Sequence, residues 1–289
     1  MDGIDFELFR GEAFGFLGPN GAGKSSTMRM LGCVSPPTLG ELTILGGDPV
    51  RDGAAIRARL GVVPQEDTLD NELTVRENLL VYGRYFGISR KLITERTTRL
   101  LDFVQLTERG GDQVEPLSGG MKRRLTIARS LINEPDILIL DEPTTGLDPQ
   151  ARHVVWDRLF SLKQSGVTLI LTTHYMDEAE QLCDRLVVMD HGKIAAEGTP
   201  RDLIARYSTP EVLELRFPRE QHEEAITKIK NLAPERMEVT ADRLLLYAAD
   251  GDGFLARVHQ AGLDPVTELV RRSTLEDVFL HLTGRTLVD

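Results

Sequence analysis

The chain has 289 residues, 41% of them hydrophobic, a length that accommodates one large core and a smaller appended domain. Acidic residues outnumber Lys and Arg by 45 to 34, and the resulting net charge of -11 argues against nucleic acid as a partner. No apolar stretch approaches the ~18–20 residues that cross a bilayer, and no basic segment followed by an apolar one reads as a secretory signal, so any membrane role falls to a partner.

In chain order, residues 4–9 and 12–17 read as strands joined at Arg10-Gly11. Then comes Gly18-Pro19-Asn20-Gly21-Ala22-Gly23-Lys24-Ser25-Ser26, a full G-x-x-x-x-G-K-[ST] match between a strand and an apolar-periodic helix carrying Met28 and Leu31. The glycines let the backbone curl so that its N–H groups converge on phosphate oxygens, and the helix N-terminus adds partial positive charge. Lys24 is positioned for the β- and γ-phosphates of a nucleotide, and the Ser25 hydroxyl for Mg²⁺. Cys33 and the later Cys183 lack metal-ligand spacing and read as buried free thiols of a reducing cytosol.

Residues 41–45 and 60–63 read as strands around the Gly46-Gly47-Asp48-Pro49 turn, and Gln65 follows the second of them. From Leu73 to Leu106 the pattern is helical, with a break at Gly87-Ile88-Ser89. Leu117-Ser118-Gly119-Gly120-Met121 opens another helix, expected to run to about Asn133, with Ser118 as N-cap and a second exposed set of backbone N–H groups suited to an anion. The Lys122-Arg123-Arg124 cluster in its first turns reads as a solvated face.

Ile137-Leu138-Ile139-Leu140 is an apolar run of the kind buried on both faces of a parallel sheet, and Asp141 and Glu142 follow at once. Strand ends carry the chemistry of open α/β sheets, and neighbouring strand residues point to opposite faces, so these two acids need not share a role. One can associate with a metal ion while the other serves as general base. A helix from Gln150 to about Gln164 follows Asp148-Pro149, and the buried-type strand 168–172 delivers Thr173-His174 at its end. The tail alternates as β-α-β-β-α-β over 212–217, 220–232, 237–239, 244–247, 254–260 and 266–269, the order of a ferredoxin-like α+β unit. A last helix follows, with Ser273 as expected N-cap and Glu276 closing a capping box.

Taken together and in this order, the motifs around Gly18, Gln65, Ser118, Asp141, Asp148 and His174 resemble those of the ATP-binding subunit of an ABC transporter, over residues 1–207. The resemblance implies a P-loop α/β domain with a helical subdomain at about 66–116 and an accessory α+β domain at 208–289. It also implies ATP and Mg²⁺ as cofactors. In that reading Asp141, Ser25 and Gln65 lie near Mg²⁺, Glu142 polarises the attacking water, and His174 contacts the γ-phosphate. Ser118, Gly119 and Gly120 would bind the ATP of a second, identical subunit, with Asp148 signalling across the dimer. A separately encoded transmembrane permease would place the pair at the cytoplasmic face of the membrane.

Met121 stands where many members carry Gln, a variation of the drug-exporter branch, and the tail is similar to that of daunorubicin-resistance and nodulation-factor exporters. Members usually have a further strand and an adenine-stacking aromatic upstream, whereas here only Phe6 and Phe9 precede the strand that leads into the loop; the expectation is that translation begins further upstream. Two other classes carry marks of their own. A DNA-repair member would carry long heptads between the two glycine motifs, and a ribosomal one a second cassette. An unrelated P-loop kinase or GTPase would leave the Ser118 motif and His174 without a role.

Overall fold

The structure, a computed structural model, describes residues 1–240 and 242–284. It divides into two compact units, Met1–Thr199 and Pro200–Asp289. The first alternates strand and helix: β1 (Ala13–Leu17), α1 (Lys24–Leu31), α2 (Gly53–Arg57), β2 (Leu60–Val63), α3 (Val75–Tyr85), α4 (Arg90–Phe103), α5 (Gly119–Ser130), β3 (Ile137–Asp141), α6 (Pro149–Gln164), β4 (Thr168–Thr173), α7 (Met176–Leu182), β5 (Arg185–Asp190) and β6 (Lys193–Gly198).

Its sheet has the order β2-β3-β4-β1-β5-β6, parallel except for β6. β1 and β4 are buried along their whole length because helices cover both faces. Phe14, Phe16, Ile139, Ile170 and Val187 of the sheet pack with Met28 and Leu31 of α1 in one cluster.

Two expected strands are absent. Residues 4–9 do alternate in exposure, but their apolar positions are used differently: Phe6 and Leu8 lie on the core cluster, with Phe6 edge-on to Phe16 at 5.1 Å. A period of two satisfies packing on a surface, whereas a ladder also needs a partner backbone in register. Residues 41–45 likewise contribute only the Ile44–Gly47 bridge of a tight turn. The helical stretch splits as its residues dictate. α3 opens with a capping box between Thr74 and Glu77, Gly87 takes a positive φ of 67°, and Ser89 caps α4.

The second unit comprises α8 (Pro200–Tyr207), β7 (Glu211–Arg216), α9 (His222–Asn231), β8 (Arg236–Val239), β9 (Leu244–Ala248), α10 (Gly251–Gln260), β10 (Thr267–Arg272) and α11 (Leu275–Thr283). Its antiparallel sheet runs β10-β7-β9-β8, the ferredoxin-like arrangement. Alternation decides the two faces: Leu213, Leu215, Leu244 and Leu246 pack on α9 and α10, while Val212, Leu245 and Tyr247 meet Leu280 of α11. α8, placed by the sequence with the first unit, packs on α11 in the second.

The cap of α11 also differs from expectation. Thr274 is the N-cap, and Asp277 rather than Glu276 reaches back to its N–H at 2.8 Å. Ser273 is used elsewhere, donating to the Thr209 carbonyl oxygen at 2.5 Å. Asp277 is 1% exposed and receives Arg271 through both terminal nitrogens, at 2.7 and 3.0 Å, and the Tyr247 hydroxyl at 3.1 Å. Burial alone would raise its carboxyl, but these bonds and the Thr274 N–H hold it below the usual aspartate value.

A depressed folded-state value means that the contribution is present above the unfolded aspartate range, near pH 4, and is lost as pH falls through the folded value. Asp277→Ala removes the buried acceptor of two Arg271 bonds and leaves that guanidinium a single carboxylate, Glu214 at 2.6 Å, so it is expected to lower the stability of the second unit by about 1.5–3 kcal/mol. Urea titration read by hydrogen exchange at β9 checks this, and an unchanged midpoint would refute it.

Candidate functional site

The C-terminal ends of four parallel strands lie side by side, pairing Leu17 with Thr173, Thr172 with Asp141 and Leu140 with Val63. Groups that follow these strands are thereby delivered to one edge of the sheet, where open α/β folds bind ligands. The glycine-rich loop leaves β1 at this edge. Gly23 caps α1 with φ 107°, a left-handed conformation that glycine adopts without steric cost. Gly18 is required by space instead, since a β-carbon there would stand 2.5 Å from the Met189 carbonyl oxygen. The loop thus lies against β5, with the unpaired N–H groups and positive dipole end of α1 beneath it. Asn20, Gly21, Ser25 and Ser26 are exposed, Pro19 is half-buried, and Gly18 and Ala22 are buried.

Lys24 is 5% exposed, and its Nζ donates to the carbonyl oxygens of Gly18 at 2.6 Å and Pro19 at 3.2 Å. It stands 3.8 Å from Glu142 Oε1. Burial pushes its ammonium below the usual lysine value, opposed by the charges of Glu142 and Asp141.

Glu142 is the centre of the cluster. Its backbone has φ 46°, a left-handed conformation that is strained for a side chain of this size. That turn sends its carboxylate away from Asp141 and among four polar groups. Gln65 Nε2 and Thr145 Oγ1 each donate to Oε2 at 3.1 Å. Lys24 flanks Oε1, and His174 Nδ1 lies 3.3 Å from the same oxygen without hydrogen-bond alignment. Asp141 faces another way: its Oδ1 accepts the Thr172 hydroxyl at 2.5 Å, while the Glu142 N–H donates to that hydroxyl's oxygen at 2.9 Å. One threonine on β4 therefore sets the position of both acids.

Ser118, Gly119 and Gly120 stand at the α5 N-terminus, with Ser118 Oγ accepting from the Met121 N–H at 3.3 Å. Asp148 caps α6 through the Ala151 N–H at 2.9 Å. Ser118, Gly119 and Asp148 are exposed and their bonds are local caps. The structure thus gathers Lys24, Gln65, Glu142 and His174 around one point, with Asp141 alongside, and leaves the Ser118 motif and Asp148 facing solvent.

Two participants were not visible in the sequence. Arg123 was read as part of a solvated face, yet its guanidinium is turned inward and donates to four backbone carbonyl oxygens. These are Pro143 at 2.7 Å, Asp141 at 2.9 Å, Glu142 at 3.1 Å and Pro64 at 2.5 Å. Burial pushes its pKa down to about 10, which leaves it charged at neutral pH. Glu178, on the first turn of α7, is fully buried; its Oε1 accepts Thr144 Oγ1 at 2.8 Å and Trp156 Nε1 at 3.1 Å. Burial raises its carboxyl above the usual glutamate value, opposed by these hydroxyl and indole bonds. Nothing in the local spacing marked either residue, because the groups they satisfy come from distant strands.

A glycine loop at a helix N-terminus, a buried lysine and a strand-end acid on a parallel sheet define a P-loop nucleoside triphosphatase. Comparison with known proteins narrows this class. Residues 1–145 match the family model described as ABC transporter, and residues 221–284 match the one described as Nodulation factor export protein NodI, C-terminal domain. The chain is 48% identical over 291 residues to the Nod factor export ATP-binding protein I of Paraburkholderia xenovorans (strain LB400), covering 100% of this chain and 93% of that protein. A solved ATP binding subunit of an ABC transporter is 31% identical, with a TM-score of 0.64 over 71% of this chain and 85% of the other. The dimeric post-hydrolysis state of the ATP-binding cassette MJ0796, bound to ADP and Pi, is 27% identical with a TM-score of 0.62, over 68% and 88%.

The chain belongs to the ATP-binding subunits of ABC transporters. It is an ATPase subunit that powers export through a membrane partner, and no described helix is long and apolar enough to cross a membrane itself.

Because Gly18 abuts rigid backbone, Gly18→Ala is expected to cost about 1–3 kcal/mol of stability, as overpacking generally does. Thermal unfolding of the full chain should show a lowered midpoint; one equal to the parent's would mean that the loop yields freely.

Proposed function

We propose that this protein hydrolyses ATP at the sheet edge around Glu142 and that two copies act together on a separately encoded permease exporting a Nod factor-type, glycolipid-like compound. The observation that carries the catalytic part is the single cluster of Lys24, Gln65, His174 and Glu142 about one buried carboxylate. The substrate class rests on the name of the relatives and on the likeness running through the C-terminal unit.

The loop amides of residues 18–25 and the α1 dipole would hold the β- and γ-phosphates, with Lys24 exchanging its bonds to the Gly18 and Pro19 carbonyls for phosphate oxygens. Glu142, held by Gln65 and Thr145, would accept a proton from the attacking water. His174, just past the end of β4 and 3.3 Å from Glu142 Oε1, would touch the γ-phosphate, its imidazole braced on Tyr175 with ring centroids 4.1 Å apart.

The donors on offer fit Mg²⁺. Asp141 supplies one carboxylate, Ser25 an exposed hydroxyl and Gln65 an amide oxygen, the sparse hard-oxygen set that leaves the rest of the shell to phosphates and water. Those three residues would hold the ion, which neutralises phosphate charge. Thr172 keeps the Asp141 carboxylate oriented for that purpose.

The exposed amide-rich end of α5 supports a paired arrangement, since Ser118, Gly119 and Gly120 offer an anion site on the outside of the chain. In that arrangement each nucleotide lies between the loop of one copy and the α5 end of the other, with Asp148 near the seam. The permease is proposed to engage a groove of about 420 Å³ that begins next to Gln65, at Pro64, and is lined by Thr68, Leu73, Tyr82, Tyr85 and Arg129. Tyr85 there is 79% exposed and offers its ring to a partner. The subunits would accordingly work at the cytoplasmic face of the membrane.

Glu142→Gln is expected to cut ATP turnover by about 10²–10⁴-fold while leaving ATP binding intact, the loss of a general base alone. ATP-loaded Glu142→Gln should accumulate as dimers in light scattering, and Lys24→Ala should weaken binding itself. Parent-like turnover in Glu142→Gln would dismiss the base assignment, and a persistent monomer at saturating ATP would dismiss the pairing.

A further inference from the structure

Arg123 joins parts of the chain that the proposed chemistry needs to act together. It sits on the second turn of α5, whose exposed N-terminus is the anion site just described. Its guanidinium reaches the carbonyl oxygen of Pro64, the residue before Gln65, and those of Asp141, Glu142 and Pro143. Gln65 in turn holds the Glu142 carboxylate at 3.1 Å. One side chain therefore fixes the backbone on both sides of that hydrogen bond.

The Glu142 backbone needs such fixing. Its φ of 46° is costly for a non-glycine residue, of order 1–3 kcal/mol, and persists only where the surroundings over-determine it. Its N–H is held by Thr172 and its carbonyl oxygen by Arg123, so the strained residue is clamped from β4 on one side and α5 on the other. Five rigid N–H donors in a planar fork suit several carbonyls at once, a task that lysine, with three donors at a point, performs poorly. From Gly119 to Arg123 the helix rises only ~6 Å, and a helix moves as a unit over that length.

We infer that Arg123 is a positioning residue that ties the Ser118-Gly119-Gly120 helix end to Glu142 and Gln65 of the same chain. Engagement of an anion at the α5 end then orders the carboxylate for hydrolysis. This rests on the reading of Glu142 as the base. The two copies of the pair are coupled by it: the nucleotide that a copy grips with its α5 end is not the one whose attacking water its own Glu142 deprotonates, and Arg123 connects the two events through four hydrogen bonds.

The test compares full-length Arg123→Gln and Arg123→Lys, each alone and combined with Glu142→Gln, by radiolabelled ATP binding and ATP turnover. Both single variants are expected to lose ~10–100-fold in kcat while the Kd for ATP stays within about threefold, the mark of a misplaced catalytic group rather than a lost binding contact. In the Glu142→Gln background, Arg123→Gln is expected to change the residual rate by less than about twofold, because residues acting through one another are not additive. Arg123→Lys keeps the charge and part of the hydrogen bonding, and decides the matter should the glutamine variant fail to fold. A kcat close to the parent's in Arg123→Lys, or equal losses in both backgrounds, or a Kd that rises in step with the loss of rate, overturns the inference. Glu142→Gln turning over like the parent removes the base assignment itself, an outcome read without any Arg123 variant.

Discussion

The site depends on one local constraint: Glu142 leaves β3 in a left-handed conformation. A residue continuing the strand would alternate faces with Asp141 but remain in the sheet, far from Gln65 and Lys24. The turn at Glu142 instead swings its carboxylate to where four strand ends deliver their polar groups. That conformation is costly, and the neighbouring structure offsets the cost with bonds at both backbone polar groups and at one carboxylate oxygen of the residue. The N–H goes to Thr172, the carbonyl oxygen to Arg123, and the carboxylate to Gln65 and Thr145. Strain at the position proposed as the base, held by a well-bonded frame, is a familiar form of preorganisation.

The same arrangement explains the division of labour between two adjacent acids. Asp141 still belongs to β3 and is oriented by the Thr172 hydroxyl. Glu142 is already outside the ladder and is 8% exposed, beside a buried lysine. Placing a carboxylate and an ammonium together away from water is favourable only with good geometry and further hydrogen bonds. Here the carboxylate has both and the lysine spends its remaining donors on loop carbonyls. A phosphate entering the loop would find an ammonium that is partly desolvated and already aimed.

The C-terminal unit is built on the opposite principle. Its sheet is antiparallel and its two faces carry different clusters, and its buried carboxylate, Asp277, is satisfied by the half-buried Arg271 within the unit rather than aimed at a ligand. A charge pair so fully bonded specifies one arrangement of sheet and terminal helix. It has no open coordination left for chemistry.

How much of this was legible beforehand varies by residue. The glycine loop, Lys24, Asp141, Glu142 and His174 could be picked out because the chemistry of each is tied to a short spacing or to a strand end, both local properties of the chain, whereas Gln65 stood out only through the family resemblance. The ferredoxin-like order of the tail was legible for the same reason, since alternation of apolar residues is a local signal. Residues 4–9 and 41–45 had that signal and are not ladder strands, because hydrogen-bonded pairing requires a second backbone that periodicity does not specify. Ser273 and Glu276 had the spacing of a capping box, and the frame shifted by one because Ser273 is held by Thr209 and Asp277 by Arg271. The sequence by itself thus determined which groups are present and in what local geometry. Only the tertiary structure decided that Arg123 faces inward to four carbonyls and that Glu178 lies buried between Thr144 and Trp156, since their partners are distant in the chain and meet only when the sheet assembles.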